Sequence, residues 1–222
     1  MVRVFHGQYE AAAPLIFGAI ALDLLDGRIA RMTGTTSEFG GELDSLADAI
    51  SFGVAPALMA YAWGFSTVPR VGWLAAFLFV VCGTLRLARF NVQRQVSDGR
   101  FFVGLPIPAA AAMVAALVNF RPRPIDDPSL AVACLSLLVV LSFLMVSTFR
   151  YWSFKKVDLH SRRSYVMIVG IAVSLILISL RTEWVLLLLA TAFWLSGPLA
   201  FLVGAVRRRP AAAPVVAPSE SN

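Results

Sequence analysis

The sequence is poor in charge for its length. Only 14% of its 222 residues are Asp, Glu, Lys or Arg, whereas 59% are hydrophobic, and the mean hydropathy is +0.77. Soluble domains usually carry about 25% charged residues. The composition therefore excludes a soluble domain with a large core and indicates an integral membrane protein, with loops too short to hold a second domain.

Residues that bind transition metals or form disulfides are also scarce. The two cysteines, Cys82 and Cys134, each lie inside an apolar segment, where a small core residue is more common than a disulfide or a metal ligand. His6 and His160 lie in polar flanks, with no second histidine or cysteine at ligand spacing. The sequence therefore predicts no site built from cysteine or histidine.

Long apolar runs, in contrast, are abundant. A transmembrane helix needs about 20 apolar residues, and seven runs reach or approach that length. We predict an all-α, polytopic membrane bundle of about seven helices in one domain, residues 1–206, followed by a basic, Ala/Pro-rich disordered cytoplasmic tail, residues 207–222. The predicted spans are residues 11–31, 44–64, 71–91, 102–120, 129–149, 164–181 and 184–206.

The basic residues predict how these spans are oriented. If the loop after the first span is cytoplasmic, 14 of the 19 Lys and Arg residues lie inside and 5 outside, which satisfies the positive-inside rule for a cell (inner) membrane protein. Because these residues are spread over short loops, nucleic-acid binding is a poor interpretation. The N-terminus would then lie outside, and we expect that a further N-terminal helix is missing.

Four aspartates stand at the ends of the first two spans. Asp23 and Asp26 have i,i+3 spacing and Asp44 and Asp48 have i,i+4 spacing, so each pair shares a helix face. A carboxylate at mid-membrane costs about 2.5–3.5 kcal/mol on insertion scales, so four of them predict a function rather than four solvated helix ends. Carboxylates brought together stay charged only around a cation, and hard oxygen ligands suit magnesium or manganese.

These aspartates belong to one pattern at fixed spacing. It reads D-x-x-D-G-x-x-A-R over residues 23–31, then eight residues, Gly40, three residues, Asp44, three residues and Asp48. The pattern resembles the signature of the CDP-alcohol phosphotransferase family at every defined position. Members of that family are integral membrane enzymes that move a phospho-alcohol from a CDP-alcohol to a second alcohol. The resemblance implies two divalent ions, Mg or Mn, and a homodimer.

The resemblance also implies a role for each motif residue. Asp23, Asp26 and Asp44 would ligate the metals, while Asp48 would be both a ligand and the general base for the attacking hydroxyl. Divalent ions suit a pyrophosphate because they neutralise its anionic oxygens. The residues that would line the CDP site are Gly27, Ala30, Arg31 and Gly40.

The motif residues beside the aspartates also have simpler interpretations. Gly27 and Ala30 could serve helix packing, since small residues let backbones approach closely. Arg31 could be a positive-inside anchor at a helix end, or it could reach a phosphate. We expect Gly40 to let the chain turn into the second acidic helix.

Further stretches resemble the phosphatidylserine synthase branch of that family. They are A-I-S-F-G-V-A-P-A after Asp48, T-L-R-L-A-R-F-N-V at 84–92, F-V-G-L-P-I-P-A-A-A at 102–111 and M-V-S-T-F-R-Y-W-S-F-K at 145–155. They imply transfer of a phosphatidyl group from CDP-diacylglycerol to L-serine by in-line attack, among membrane lipids. We expect the acceptor or the phosphates to contact Ser51, Arg86, Arg89, Asn91 and Arg150.

Several alternatives stay open at this stage. Ser51 could bond its own helix, and Arg86 and Arg89, which could both face one cavity, could instead be snorkelling arginines. Pro56 is expected to kink the second span, and Arg150 is expected at a helix end. Another acceptor, such as glycerol phosphate, inositol phosphate or choline, would preserve the motif. An ion-coupled transporter is disfavoured because such proteins spread their acids along a path, whereas these acids cluster at one membrane face.

Overall fold

A computed structural model describes residues 1–34, 37–93, 101–152 and 164–207. Within these ranges the chain is a helical bundle with one short β-ribbon, and the predicted tail beyond residue 207 lies outside them. The helices are α1 (Val2–Phe5), α2 (Tyr9–Thr33), α3 (Glu38–Asp48), a π-helix (Ala49–Val54), α4 (Ala55–Gly64), α5 (Pro69–Gln93), α6 (Ile107–Phe120), α7 (Pro128–Val146) and α8 (Ser164–Arg207), and the strands are β1 (Phe101–Val103) and β2 (Arg150–Trp152).

Each predicted span corresponds to a helical segment, which confirms the prediction of a polytopic helical bundle. The last two predicted spans lie in α8, where Arg181 has non-helical dihedral angles (φ −147°, ψ 64°) at the predicted boundary. Among the described residues, four helical segments are long and apolar enough to cross a membrane, and one apolar helix is shorter. These segments are Glu38–Gly64, Pro69–Val92, Pro128–Val146 and Thr182–Leu202, with Ile107–Phe120 as the shorter helix.

The β-ribbon corrects the prediction that a helix begins at residue 102. β1 pairs antiparallel with β2, and the next helix begins only at Ile107, after the N-cap residue Pro106. A proline lacks an N–H group and is tolerated only in the first turn of a helix. Pro106 and Pro108 therefore mark where α6 starts rather than a kink inside a longer helix.

The ribbon joins three helices at one end of the bundle. The Gly104 N–H donates to the Phe149 carbonyl at 2.8 Å, and the Leu105 N–H donates to the Leu144 carbonyl at 3.0 Å. On the other side, the Tyr151 hydroxyl donates to the Trp194 carbonyl at 3.2 Å. The connection between α5 and α6 is thereby bound to the end of α7 and to α8.

The core is formed by two sets of packed helices. α5 packs along α7 and against α4 and the π-helix, while α6 lies between α2 and α8. The side chains of Phe52, Met59, Phe79 and Ile107 are fully enclosed. Cys82 is buried and Cys134 half-buried, and both thiols are free, which confirms their prediction as core residues.

Three hydrogen bonds between α4 and its neighbours join the elements at the end of the bundle opposite the aspartates. The Trp63 indole N–H donates to the Arg121 carbonyl at 2.7 Å, and the Ile125 N–H donates to the Trp63 carbonyl at 3.0 Å. The Tyr9 hydroxyl donates to the Ala62 carbonyl at 2.9 Å. The start of α2, the end of α4 and the α6–α7 connection therefore meet there.

Candidate active site

The two acidic helices are separated by a turn centred on Gly34. Gly34 ends α2 in the left-handed conformation (φ 67°) and donates its N–H to the Ala30 carbonyl, a C-cap that glycine adopts without a steric penalty. Ser37 then caps α3 by accepting the Gly40 N–H at 3.0 Å. The prediction that Gly40 makes the turn is therefore wrong, because Gly40 lies inside the first turn of α3.

Three of the four predicted aspartates converge. One carboxylate oxygen from each of Asp23, Asp44 and Asp48 lies within 4.8 Å of the other two. Asp23 and Asp48 are half-buried and within hydrogen-bonding reach of each other, whereas Asp44 is exposed. Asp26 is exposed one turn further along α2, outside this group, although its charge still acts on Asp23.

This group has the chemistry of a hard-metal site. Carboxylates that lie a few ångströms apart repel each other, so all three can stay ionised only beside a compensating positive charge. A divalent cation supplies that charge, and carboxylate oxygens are the ligands that Mg²⁺ and Mn²⁺ prefer. Asp23, Asp44 and Asp48 are therefore the described residues that could hold a metal ion.

A π-helix follows directly after Asp48. It spans Ala49–Val54, and such segments are rare and often lie at functional sites. Ser51 is half-buried within it. Pro56 lies in the first turn of α4, and the irregular geometry comes directly before it. A proline disturbs the preceding turn of a helix because it has no N–H group and its ring meets the carbonyl four residues back, so the second span is irregular next to Pro56, as predicted.

Arg86 reaches towards the aspartates from α5. Only 7% of its surface is exposed, and its charge interacts favourably with Asp48. Its guanidinium carbon lies 5.3 Å from the centre of the Phe90 ring. In the described part of the chain its Nε atom has no hydrogen-bond partner. A buried guanidinium is costly unless its N–H groups are paired, so Arg86 could bind an anionic group near Asp48.

The neighbouring predicted residues of α5 make different contacts. Arg89 Nη1 donates to the Val146 and Ser147 carbonyls at 3.2 and 3.4 Å, at the end of α7, where carbonyls have no partner within the helix. Asn91 Nδ2 donates to Ser45 Oγ at 2.9 Å. The expectation that Arg86 and Arg89 line one cavity is therefore not met: Arg89 binds α7, and Arg86 lies beside Asp48.

The remaining predicted residues lie on α2 and in the β-ribbon. Gly27 is exposed and Ala30 half-buried on α2. Arg150 lies in β2 opposite Val103 rather than at a helix end, because the ribbon begins there. The side chains of Arg31 and Arg150 lie outside the described part of the structure.

Two residues that shape the site are absent from the sequence predictions. Gly34 could have been recognised, since a glycine followed closely by a capping serine is a signal for one helix ending and another beginning. Ser45, in contrast, has no local signal, because its partner Asn91 is 46 residues away.

Comparisons with known proteins identify the family of this chain. The family model for CDP-alcohol phosphatidyltransferases matches residues 1–144. A Helicobacter pylori (strain 26695) CDP-diacylglycerol--serine O-phosphatidyltransferase is 45% identical over 161 residues, which cover 71% of this chain and 68% of that protein. A Bacillus subtilis (strain 168) protein of the same name is 39% identical over 153 residues, covering 69% of this chain and 80% of that protein. This chain belongs to the CDP-alcohol phosphatidyltransferase family.

Proposed function

We propose that this chain transfers a phosphatidyl group from CDP-diacylglycerol to L-serine, giving phosphatidylserine and CMP. The observation that carries the proposal is the convergence of Asp23, Asp44 and Asp48 within 4.8 Å. The names of the Helicobacter and Bacillus relatives supply the donor and the acceptor. Metal-binding carboxylates beside a buried cation suit a reaction between a pyrophosphate donor and a zwitterionic amino acid.

The metal would be held by the four motif aspartates. Asp23, Asp44 and Asp48 each offer one oxygen atom within 4.8 Å of the others, and Asp26 stands one turn away on the same helix as Asp23. We propose two ions, Mg²⁺ or Mn²⁺, which when bound neutralise the pyrophosphate oxygens and favour in-line displacement.

The transfer would be a single displacement. The serine hydroxyl oxygen forms a bond to the phosphorus that carries diacylglycerol, and the bond from that phosphorus to the CMP oxygen breaks. Asp48 accepts the hydroxyl proton, a role that suits a half-buried carboxylate beside two others. We expect inversion at phosphorus, since no nucleophile other than the carboxylates stands out beside the motif. Retention measured with a chiral phosphorothioate donor would contradict this mechanism.

The nucleotide would bind along α2 and the start of α3, against Gly27, Ala30, Arg31 and Gly40. A Cβ atom at Gly27 would meet nothing within 4 Å, so there is room beside its backbone for a ligand. A Cβ atom at Gly40 would lie 3.0 Å from Ser37 Oγ. The absence of a side chain at Gly40 therefore also serves the cap of α3.

The acceptor would bind on the α5 side of the aspartates. Arg86 is the proposed partner of the serine carboxylate or of a donor phosphate, because it is buried, carries an unpaired Nε atom and lies near Asp48. Ser51, half-buried on the π-helix, is proposed to contact the acceptor. Arg89 and Asn91, near the end of α5, and Arg150, in β2, are the further residues proposed to contact the acceptor or a phosphate.

The cellular setting follows from the apolar helices and the charge distribution. Several described helices are long and apolar enough to cross a membrane, so the chain is a membrane protein. We propose that it lies in the inner membrane with the aspartates facing the cytoplasm, since that orientation would put 14 of the 19 basic residues on the cytoplasmic side, as the positive-inside rule requires. A homodimer is proposed from the family resemblance.

The test is an acceptor comparison with the purified full chain. The protein is incubated with CDP-diacylglycerol, Mg²⁺ or Mn²⁺, and labelled serine, glycerol 3-phosphate or inositol phosphate, with Asp48→Asn as the blank. Metal-dependent label in lipid from serine alone, with CMP released, is the expected result. Transfer of label from glycerol 3-phosphate or inositol phosphate instead would show that serine is not the acceptor. No transfer in folded protein with any acceptor would refute it.

A further inference from the structure

Helix α3 carries two of the three converging carboxylates, yet it has little apolar packing to hold it in place. None of its residues is buried, and Phe39, Leu43 and Leu46 are 78%, 55% and 64% exposed. Its main contacts within the described chain are with the π-helix that continues it. The π-helix joins the end of α3 to the buried α4, but among the described residues no apolar core contact holds the part of α3 that carries Asp44 against its neighbours.

A hydrogen bond from α5 reaches α3 between its two aspartates. Asn91 Nδ2 donates to Ser45 Oγ at 2.9 Å, and the Ser45 hydroxyl donates to the Gly41 carbonyl at 3.0 Å. With the serine proton directed to Gly41, the serine oxygen accepts from Asn91, which agrees with the assigned orientation of the Asn91 amide.

Asn91 is itself attached to a rigid support. α5 packs along α7 and against α4 and the π-helix. Two residues before Asn91, Arg89 is bonded to the end of α7. The amide of Asn91 is therefore held by a packed helix, and Ser45 is the point at which that helix contacts the exposed one. Groups that orient metal ligands commonly act in this way, from outside the ligand set.

We propose that Asn91 is a positioning residue that acts through Ser45. Its hydrogen bond holds α3 against α5 so that Asp44 and Asp48 stay within metal-binding distance of Asp23. This inference rests on the proposed function for the metal site. It gives Asn91 a role through Ser45 in place of the direct contact with the acceptor that the sequence predicts. The mutual repulsion of the carboxylates would otherwise turn α3 away from α2 whenever the metal leaves.

The test is Mn²⁺ binding to the full chain in lipid nanodiscs, followed by electron paramagnetic resonance of free Mn²⁺. We expect Asn91→Ala and Ser45→Ala each to weaken Mn²⁺ binding by about 10-fold or more, the range found for groups that orient metal ligands. The double variant should bind Mn²⁺ as tightly as whichever single variant binds it more weakly. Each of the three variants lacks the same Asn91–Ser45 hydrogen bond, so the second substitution removes nothing further. Ser45→Thr keeps a hydroxyl and should restore binding.

Ser136→Ala is the matched control. That hydroxyl is exposed and donates to the Val132 carbonyl of its own helix at 2.8 Å, so Mn²⁺ affinity should not change. Wild-type affinity in both Asn91→Ala and Ser45→Ala would overturn the proposal. So would a higher KM for serine in Asn91→Ala with Ser45→Ala unaffected, because Asn91 would then bind the acceptor directly.

The outcomes also separate this inference from the proposed function. Mn²⁺ binding does not depend on which alcohol is the acceptor. If the serine assay fails but Asn91→Ala and Ser45→Ala still weaken Mn²⁺ binding, the proposed function is wrong and the positioning role of Asn91 is supported. Absence of Mn²⁺ binding by the wild-type chain would overturn both. If Asn91→Ala does not fold, Ser45→Ala carries the test alone, since Ser45 is on a helix with no buried residue.

Discussion

At the residue scale, the site depends on like charges held close together. Asp23, Asp44 and Asp48 each direct an oxygen atom into the same space, and the only described cation near them is the buried guanidinium of Arg86. A single arginine cannot balance several carboxylates. The arrangement is therefore electrostatically incomplete until a cation binds.

Replacing one carboxylate of the group should lower activity without lowering stability. Asp23→Asn is expected to lower phosphatidylserine formation by more than about 100-fold, since even groups that only orient metal ligands contribute 10–100-fold. Its melting temperature in chelator should not fall, because the substitution removes repulsion between carboxylates. The measurements are a labelled-serine assay and thermal unfolding in detergent.

Glu38→Gln is the control for this prediction, because Glu38 is an exposed acid in the first turn of α3, outside the converging group. Its activity should stay near that of the wild type. Full activity in Asp23→Asn would show that Asp23 is not a ligand.

Two glycines should respond in opposite ways to alanine. Gly104 has φ +80°, and a Cβ atom there would collide with the Met145 carbonyl oxygen. Gly104→Ala is expected to destabilise the chain by about 1–3 kcal/mol, the usual cost of a strained backbone. Gly18→Ala, inside α2 with nothing within 4 Å, should be neutral or stabilise by about 0.5–1 kcal/mol. Thermal unfolding measures both, and equal effects would contradict the role of Gly104.

At the element scale, the π-helix decides how α3 meets the rest of the bundle. It holds more residues per turn than an α-helix, so it sets a particular rotation of the aspartate-bearing α3 relative to the buried α4. Phe52 is 1% exposed and packs in the core. This core contact holds the π-helix in place, and the π-helix in turn sets the direction in which α3 leaves the bundle.

Inserting one alanine into the π-helix should therefore abolish the site. An insertion after Ile50, which is 56% exposed, adds one residue of helical rotation and would turn α3 by about 100° relative to α4. We expect loss of Mn²⁺ binding with little loss of helix content, measured by titration and circular dichroism. Ile50→Ala keeps the chain length and should retain binding. Normal binding in the insertion variant would show that the rotation set by this segment has no part in the geometry.

At the scale of the whole molecule, the chain has two chemically distinct ends. The aspartates, the ribbon and the Asn91–Ser45 bond lie at one end, and the hydrogen bonds of Trp63 and Tyr9 lie at the other. An impermeant reagent should therefore distinguish the two ends from each side of the membrane.

We predict this labelling in a background of Cys82→Ala and Cys134→Ala. Glu38→Cys, at the aspartate end, should react with an impermeant maleimide only in inverted vesicles, whereas Asp126→Cys, in the α6–α7 connection, should react in intact spheroplasts. Both positions are exposed, so accessibility depends on the side of the membrane. The reverse pattern would contradict a cytoplasmic active site.

Much of this structure could be predicted from local patterns. Apolar runs located the helices, including the break near Arg181, because helix formation in a membrane depends on the composition of each segment. The spacing of the aspartates placed each pair on one helix face, because helical periodicity is itself local. The ribbon was missed because its two strands have three residues each and pair across distant parts of the chain.

What the sequence by itself determined is which segments are helical and which of them carry acids. Only the tertiary structure decided that Asp23, Asp44 and Asp48 converge while Asp26 stands apart, that Arg86 lies beside Asp48 while Arg89 binds α7, and that Ser45 meets Asn91. These outcomes depend on the rotation and depth of helices far apart in sequence. Packing, a π-helix and a few hydrogen bonds set those quantities, and no local pattern encodes them.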